Sequence, residues 1–429
     1  MTGSHETRLT AARYGDMLRT LGRDHAGTTV FGFLDVSFDE AVRRHATRPQ
    51  ARQFTTDEMA AWWVPDDRLG VQGELVIGSG TTVGQAVDDF FWAARPERVP
   101  RPGAVSSERT GTTMVTNPVN DSNPVNDSNP VYDSNFPDPA VLEVDGTYWA
   151  YATNNATEAM PVLRSPDLVH WTEVGDGMPD LASWVEPGRT WAPEVAAVGE
   201  RYVVYYTAHD RLTDVQAVGV AVADAPQGPF RDESERPLLC QDAEGGSIDA
   251  SPFVDGDGTR LLIWKNDGNH AGVDTWIFVQ RLSDDGLRLE GEPLRVLRQD
   301  QEWEGEIVEG PYIWPHGGRY YLFYSGNAFA TDRYAVGYAV ADHATGPYLK
   351  PQDTPIMVSN DVAAGPGHGV VVERGGRTWY LHHAWPPDAI GTSVPGRQMW
   401  LTELVFEPSP DGGPDRPVLL GPRAEVDLT

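Results

Sequence analysis

The 429-residue sequence predicts an all-β fold, a five-bladed β-propeller preceded by a small mixed α/β region. Three observations predict it. From Asn135 onward, short aromatic and β-branched runs alternate with turns and show little helical periodicity. One template recurs five times: a small or polar residue, then Pro or Gly, an apolar strand, a Gly-containing turn and an aromatic strand. The recurrences are nearly sixty residues apart, enough for about four strands, which is one propeller blade.

The elements run in this order. Residues 1–100 read as a mixed α/β region of unknown role. Helical spacing marks Ala11 to Leu21, Phe38 to His45, Asp57 to Trp63 and Val83 to Ala94, and Thr28 to Val36 is strand-like. Residues 101–134 change character. The hexad Asn-Pro-Val-Asn-Asp-Ser runs from Asn117 and again from Asn123, then returns from Asn129 with Tyr132 in its fourth place. Such Pro and Asx density favours extended chain and turns, so this stretch reads as a linker. A calcium-binding acidic repeat is the rival, but it lacks the glycines that tight calcium loops use.

Residues 135–429 form the propeller. The five templates start at Asp138-Pro139, Ala192-Pro193, Ser251-Pro252, Gly310-Pro311 and His368-Gly369. Anchors at 139, 193, 252, 311 and 369 lie 54, 59, 59 and 58 residues apart. In a propeller the innermost strand of each blade lines the channel, so residues near the anchors meet at one mouth. Asp138, Asp249, Glu309 and His368 then gather there, from four blades.

Charge narrows the partners. The formal net charge is −30, which repels phosphate backbones and anionic lipid, so nucleic acid and membrane are excluded as expected partners. A neutral carbohydrate is compatible. The single cysteine, Cys240, forms no intramolecular disulfide, and Met1 to Arg8 is polar. Together these lead to the expectation of a cytoplasmic protein.

Several carboxylates gathered in a partly buried funnel cost free energy unless protons or donors offset it, and such clusters occur where chemistry uses them. A glycosidic bond needs one acid to protonate the leaving oxygen and one base to activate water on the opposite face. Here the motifs become specific. Phe136-Pro137-Asp138-Pro139, Ile248-Asp249-Ala250-Ser251-Pro252 and Glu309-Gly310-Pro311-Tyr312 resemble the signature of glycoside hydrolase family 43. So do Ser165-Pro166-Asp167-Leu168-Val169-His170-Trp171, Trp191-Ala192-Pro193-Glu194 and Gly365-Pro366-Gly367-His368.

That resemblance implies an inverting hydrolase that releases pentose units, foremost α-L-arabinofuranosyl groups. A β-D-xylosidase or an endo-arabinanase is the alternative, and a non-catalytic carbohydrate-binding propeller is the rival from another class. The resemblance makes Asp138 the general base, Glu309 the general acid and Asp249 the residue that tunes and orients the acid. The Gly-Pro-Tyr after Glu309 separates it from Glu302, Glu304 and Glu306. Arg397 resembles an arginine that contacts the sugar, with a surface arginine as the alternative. His368 resembles an axial histidine that helps hold a calcium or sodium ion through water, with a core histidine as the alternative. No cofactor is required. Trp191 offers an aromatic face to a sugar ring, with a tryptophan that fills the space between blades as the alternative.

Overall fold

The computed structural model describes residues 127–429 except 411, 427 and 429, and in the N-terminal part residues 19, 31–38, 42–43, 56, 68–71 and 74–78. The chain divides into two compact units, Met1–Val119 and Asn120–Thr429.

In the first unit, β1 (Gly32–Asp35) and β2 (Leu75–Gly78) pair in parallel. The strand β1 falls inside the apolar run Thr28 to Val36. The four expected helices lie almost wholly outside the described residues.

The second unit opens with β3 (Asp127–Ser128) and is otherwise built of five antiparallel sheets. Blade one contains β4 (Ala140–Val144), β5 (Thr147–Tyr151), β6 (Pro161–Ser165) and β7 (Thr172–Asp176). Blade two contains β8 (Val185–Val198), β9 (Arg201–Asp210) and β10 (Val215–Ala223). Blade three contains β11 (Ser247–Val254), β12 (Arg260–Asn266), β13 (Trp276–Leu282) and β14 (Leu289–Arg298). Blade four contains β15 (Val308–His316), β16 (Arg319–Gly326) and β17 (Ala335–Ala341). Blade five contains β18 (Ala364–Arg374), β19 (Arg377–Trp385), β20 (Gln398–Glu407) and β21 (Arg416–Leu419), and β22 (Glu425–Val426) follows it. Blades two and four replace a regular fourth strand with bridges from Arg231 and Leu239, and from Leu349 and Met357.

The aromatic strands supply the glue between sheets. Each of the five seams has its own apolar cluster, because alternate side chains of a strand face the two neighbouring blades. Tyr151, Met160 and Trp184 join blades one and two, and Tyr205, Trp264 and Phe278 join two and three. Ile263, Ile313 and Tyr324 join three and four, while Tyr321, Phe323 and Tyr380 join four and five. Ala150, Leu163, Leu381 and Met399 close five against one.

Closure uses both ends of this unit. Strand β3 pairs with β22, and Tyr132 bridges to Met399. The side chain of Asn129 donates to the carbonyls of Leu401 (2.8 Å) and Arg423 (3.0 Å) and accepts the Leu401 N–H (2.9 Å). Val131 and Phe136 are buried in the adjoining seam. The linker reading of residues 101–134 therefore does not hold for 127–134. The third hexad copy is a latch, because its asparagine amide satisfies backbone groups that the ring closure leaves open.

The innermost strands share one distortion. Each carries a bulge in which two residues face one on the next strand: 192 and 193 in β8, 249 and 250 in β11, 310 and 311 in β15, and 368 and 369 in β18. Asp138 and Pro139 occupy the same place ahead of β4. The first bulge residue is left-handed in all five blades: φ is 54° at Asp138, 41° at Ala192, 58° at Asp249, 56° at Gly310 and 45° at His368. This register corrects the third anchor. The equivalent of Pro139, Pro193, Pro311 and Gly369 is Ala250, two residues before Pro252, because the bulge and not the proline defines the repeat.

Asn129→Ala strips the latch and leaves the buried Leu401 N–H without an acceptor. We expect a loss of about 2–3 kcal/mol in urea unfolding of the propeller, and an unchanged midpoint would contradict the latch.

Candidate active site

The five left-handed residues converge on the channel mouth, and three of them are expected site residues. Asp and His are among the side chains that best tolerate positive φ, so the distortion and the chemistry select the same residues. Proline as second bulge residue in three blades is consistent, since the bulged position has no ladder partner and proline leaves no N–H unpaired.

Each left-handed N–H is capped across a blade seam. Asp138 N–H donates to His383 Nδ1 (3.1 Å), Ala192 N–H to Thr153 Oγ1 (2.9 Å) and Asp249 N–H to Thr207 Oγ1 (3.1 Å). Gly310 N–H donates to Asp249 Oδ2 (2.9 Å), and His368 N–H to Ser325 Oγ (2.8 Å). The contacts run five to one, one to two and so on around the axis. Gly310 must be glycine: a Cβ there would meet the His368 ring at 2.9 Å.

Asp138 is the most heavily bonded carboxylate. Arg397 Nη1 donates to Oδ1 (2.5 Å) and Thr153 Oγ1 donates to Oδ2 (2.6 Å), while His368 Nδ1 is 3.4 Å from Oδ1. Burial alone would raise its pKa, but Arg397 and then His368 hold it well below the usual carboxylate range. His383 is pushed down to about 3 by burial and by Arg397, so it is neutral and free to accept the Asp138 N–H.

Asp249 lies 3.9 Å from His368 Nδ1. Burial pushes it up to about 6; His368 opposes that rise and the carboxylates of Glu309 and Asp138 add to it. Glu309 accepts from Tyr334 Oη at Oε1 (2.8 Å) and from Lys265 Nζ at Oε2 (3.1 Å). Tyr334 stacks on His383 with centroids 5.7 Å apart. Asp138 thus touches one ring of this pair and Glu309 the other, which links the two carboxylates through it.

The structure brings Asp138, Asp249, Glu309, His368 and Arg397 into one network. Trp191, partly exposed, stands opposite Thr207 in β8, the register position that Glu309 holds opposite Ser325 in β15. Glu304 is outside the site: it is fully buried and bonded to Tyr324, Lys350 and the backbone of Asp300 and Gln301. Among the described residues no group of three metal-ligating side chains occurs.

Sequence reasoning missed Thr153, Lys265, Tyr334, His383 and Phe329, whose ring lies 4.7 Å from the Arg397 guanidinium carbon. A signal for the first, second and fourth exists. Opposite the residue that precedes each bulge, the second strand or its extension carries a polar residue: Thr153, Thr207, Lys265, Ser325 and His383. Each follows its bulge anchor by fourteen residues, or fifteen in blade three.

A five-bladed propeller whose mouth holds carboxylates in contrasting electrostatic settings defines a glycosidase-type centre. The comparisons agree. The model of glycosyl hydrolases family 43 matches residues 128–414. A β-D-galactofuranosidase of Aspergillus niger is 28% identical over 267 residues, covering 57% of this chain and 72% of the relative. An extracellular exo-α-(1→5)-L-arabinofuranosidase of Streptomyces chartreusis is 29% identical over 264 residues, covering 56% and 76%. Among solved structures, a thermostable family-43 glycoside hydrolase superimposes with a TM-score of 0.63 and 30% identity, covering 70% of this chain and 97% of that one. The chain belongs to family 43 of the glycosyl hydrolases.

The chain spans between 50% and 76% of the length of the curated relatives it matches. The expectation of a cytoplasmic protein is overturned, since relatives in Streptomyces chartreusis and Bacillus subtilis are named extracellular. One cysteine forms no intramolecular disulfide in either compartment, so Cys240 carries no address.

Arg397→Met removes the nearest fixed cation from Asp138, which then binds its proton at higher pH. In a carbon-detected NMR titration the Asp138 carboxyl resonance should titrate about 1–3 pH units higher than in wild type. No displacement would contradict the assigned cause.

Proposed function

We propose that this protein hydrolyses α-L-arabinofuranosides with inversion, Asp138 acting as general base and Glu309 as general acid. Water attacks C1 of the sugar as Asp138 takes one of its protons. The C1–O bond breaks, its electron pair stays on the leaving oxygen, and Glu309 gives that oxygen its proton. In such enzymes the two carboxyl groups are about 6.5–9.5 Å apart, leaving room for the water.

One observation carries this reading: Asp138, bonded to Arg397, is held ionised as a base must be, and Glu309 enters the same network from another blade, bonded to Tyr334 and Lys265. Carboxyl groups carried by different blades can flank one sugar, one as base and one as acid, as inversion requires. Asp249 acts through its bond to the Gly310 N–H, which fixes the backbone next to Glu309, and through its charge. Arg397 reaches the sugar beside Asp138, and Trp191 offers a ring face at the mouth.

The furanoside preference draws on the relatives. Those of Aspergillus niger and Streptomyces chartreusis are named for β-D-galactofuranosides and α-L-arabinofuranosides, which share one ring configuration and differ at the exocyclic carbon. A structural calcium or sodium ion on the axis is proposed with His368 holding it through water, and no step passes through it.

Glu309→Gln and Asp138→Asn should each lower kcat on an arabino-oligosaccharide by about 10²–10⁴-fold, with circular dichroism unchanged. Near-wild-type rates would remove the assignments. Proton NMR of the first-formed sugar should show the β-anomer from an α-arabinofuranoside, and the α-anomer would contradict inversion.

A further inference from the structure

One blade departs from the capping rule. In four blades the polar residue opposite the one that precedes the bulge accepts the left-handed N–H of the next blade. Those residues are His383, Thr153, Thr207 and Ser325. Blade three has Lys265 there, and an ammonium has three donors and no acceptor. Asp249 Oδ2 takes over the Gly310 N–H at 2.9 Å. Lys265 is thereby released from the ring and donates to Glu309 Oε2 (3.1 Å) and to Asn269 Oδ1 (2.7 Å), with Asp267 4.0 Å away.

The burial of this lysine demands an explanation. Its side chain is 0% exposed, so it does not reach a sugar. The sequence contains only two lysines. The other, Lys350, is also largely covered and also holds a glutamate, Glu304. Burying an ammonium costs several kcal/mol before pairing, and a threonine at 265 would follow the pattern of the ring without that cost. Lysine in place of a neutral cap puts a fixed cation against the carboxylate proposed as the acid.

We infer that Lys265 is a positioning residue for the general acid, holding Glu309 Oε2 and stabilising the carboxylate that forms as the proton leaves. The inference rests on reading Glu309 as the acid. As the O–H bond of Glu309 breaks and the leaving oxygen gains the proton, negative charge develops 3.1 Å from the Lys265 ammonium. Asp267 after β12, Asp249 on β11 and Tyr334 before β17 face Glu309, and beyond them stand His270 beside Asp267 and Asp138 and His368 beside Asp249. The carboxylates among them disfavour the ion that forms, and Lys265 is the ammonium in direct contact with it.

The test compares wild type with Lys265→Met on two pentosides of the series the enzyme turns over. One releases 2,4-dinitrophenolate, which departs without a proton, and the other releases phenol, which needs one. We expect kcat on the phenyl glycoside to fall about ten- to hundredfold, part of the 10²–10⁴-fold that acid catalysis supplies. The dinitrophenyl rate and both KM values should change little. The alkaline limb of kcat on the phenyl glycoside should move up by about 1–3 pH units, because a cation that favours the ionised acid has gone. Equal losses on both substrates, or no loss on either, would overturn the inference. Glu309→Gln run in parallel should lose the phenyl and spare the dinitrophenyl substrate; if it does not, the acid assignment has failed, whatever Lys265 does. Lys265→Gln keeps a donor without the charge, and the same ratio is read on it if the Met variant does not fold.

Discussion

The structure turns on five backbone N–H groups that point out of left-handed bulges and are capped by side chains from the neighbouring blade. A non-glycine residue at positive φ costs of order 1–3 kcal/mol, so four such residues persist only because each is bonded and packed in place. The bulges let inner strands that are otherwise regular turn individual side chains into the mouth. Asp138, Asp249 and His368 face the centre by this means, and Glu309 stands immediately before the fourth bulge. The seams between blades and the geometry of the site are thus one set of contacts: Thr153 caps Ala192 while donating to Asp138, and Asp249 caps Gly310 while flanking Glu309.

Electrostatics follow from this arrangement. In a chain of net charge −30, the few cations near the axis act as counterweights with distinct targets. Arg397 takes Asp138 and Lys265 takes Glu309, while Asp249 feels His368 and Lys265 at longer range and is lifted by burial. An arginine stays charged at any working pH and presents a rigid fork, which suits a base that must remain ionised. A buried lysine, a compact charge held by Asn269 as well as Glu309, suits a carboxyl that changes protonation state.

Much of this was legible in the sequence, for a physical reason. Propeller blades repeat the same solution to packing, so their strands repeat the same letters, and Asp138, Asp249 and Glu309 each lie at or next to the first residue of a bulge. The third anchor was misplaced because Pro252 imitates the proline of the other blades. The property that defines the anchor is a backbone dihedral, and Ala250 gives it no distinctive letter. Tyr334 was invisible since it lies in the approach to a third strand, where neither period nor motif points inward. The role of Asn129 was hidden by its own repeat, since Asn-Pro-Val occurs three times in identical letters. Lys265 was in plain view as one of two lysines, but its meaning depends on a ring of caps that only the fold assembles.

The most direct measurement is a crystal structure of the Glu309→Gln variant soaked with an arabino-oligosaccharide. The scissile oxygen should lie within hydrogen-bond distance of the residue-309 amide, with a water bonded to Asp138 on the opposite face of C1. A sugar seated elsewhere on the propeller, or an Asp138 carboxylate in direct contact with C1 and no room for water, would contradict an inverting centre at this mouth.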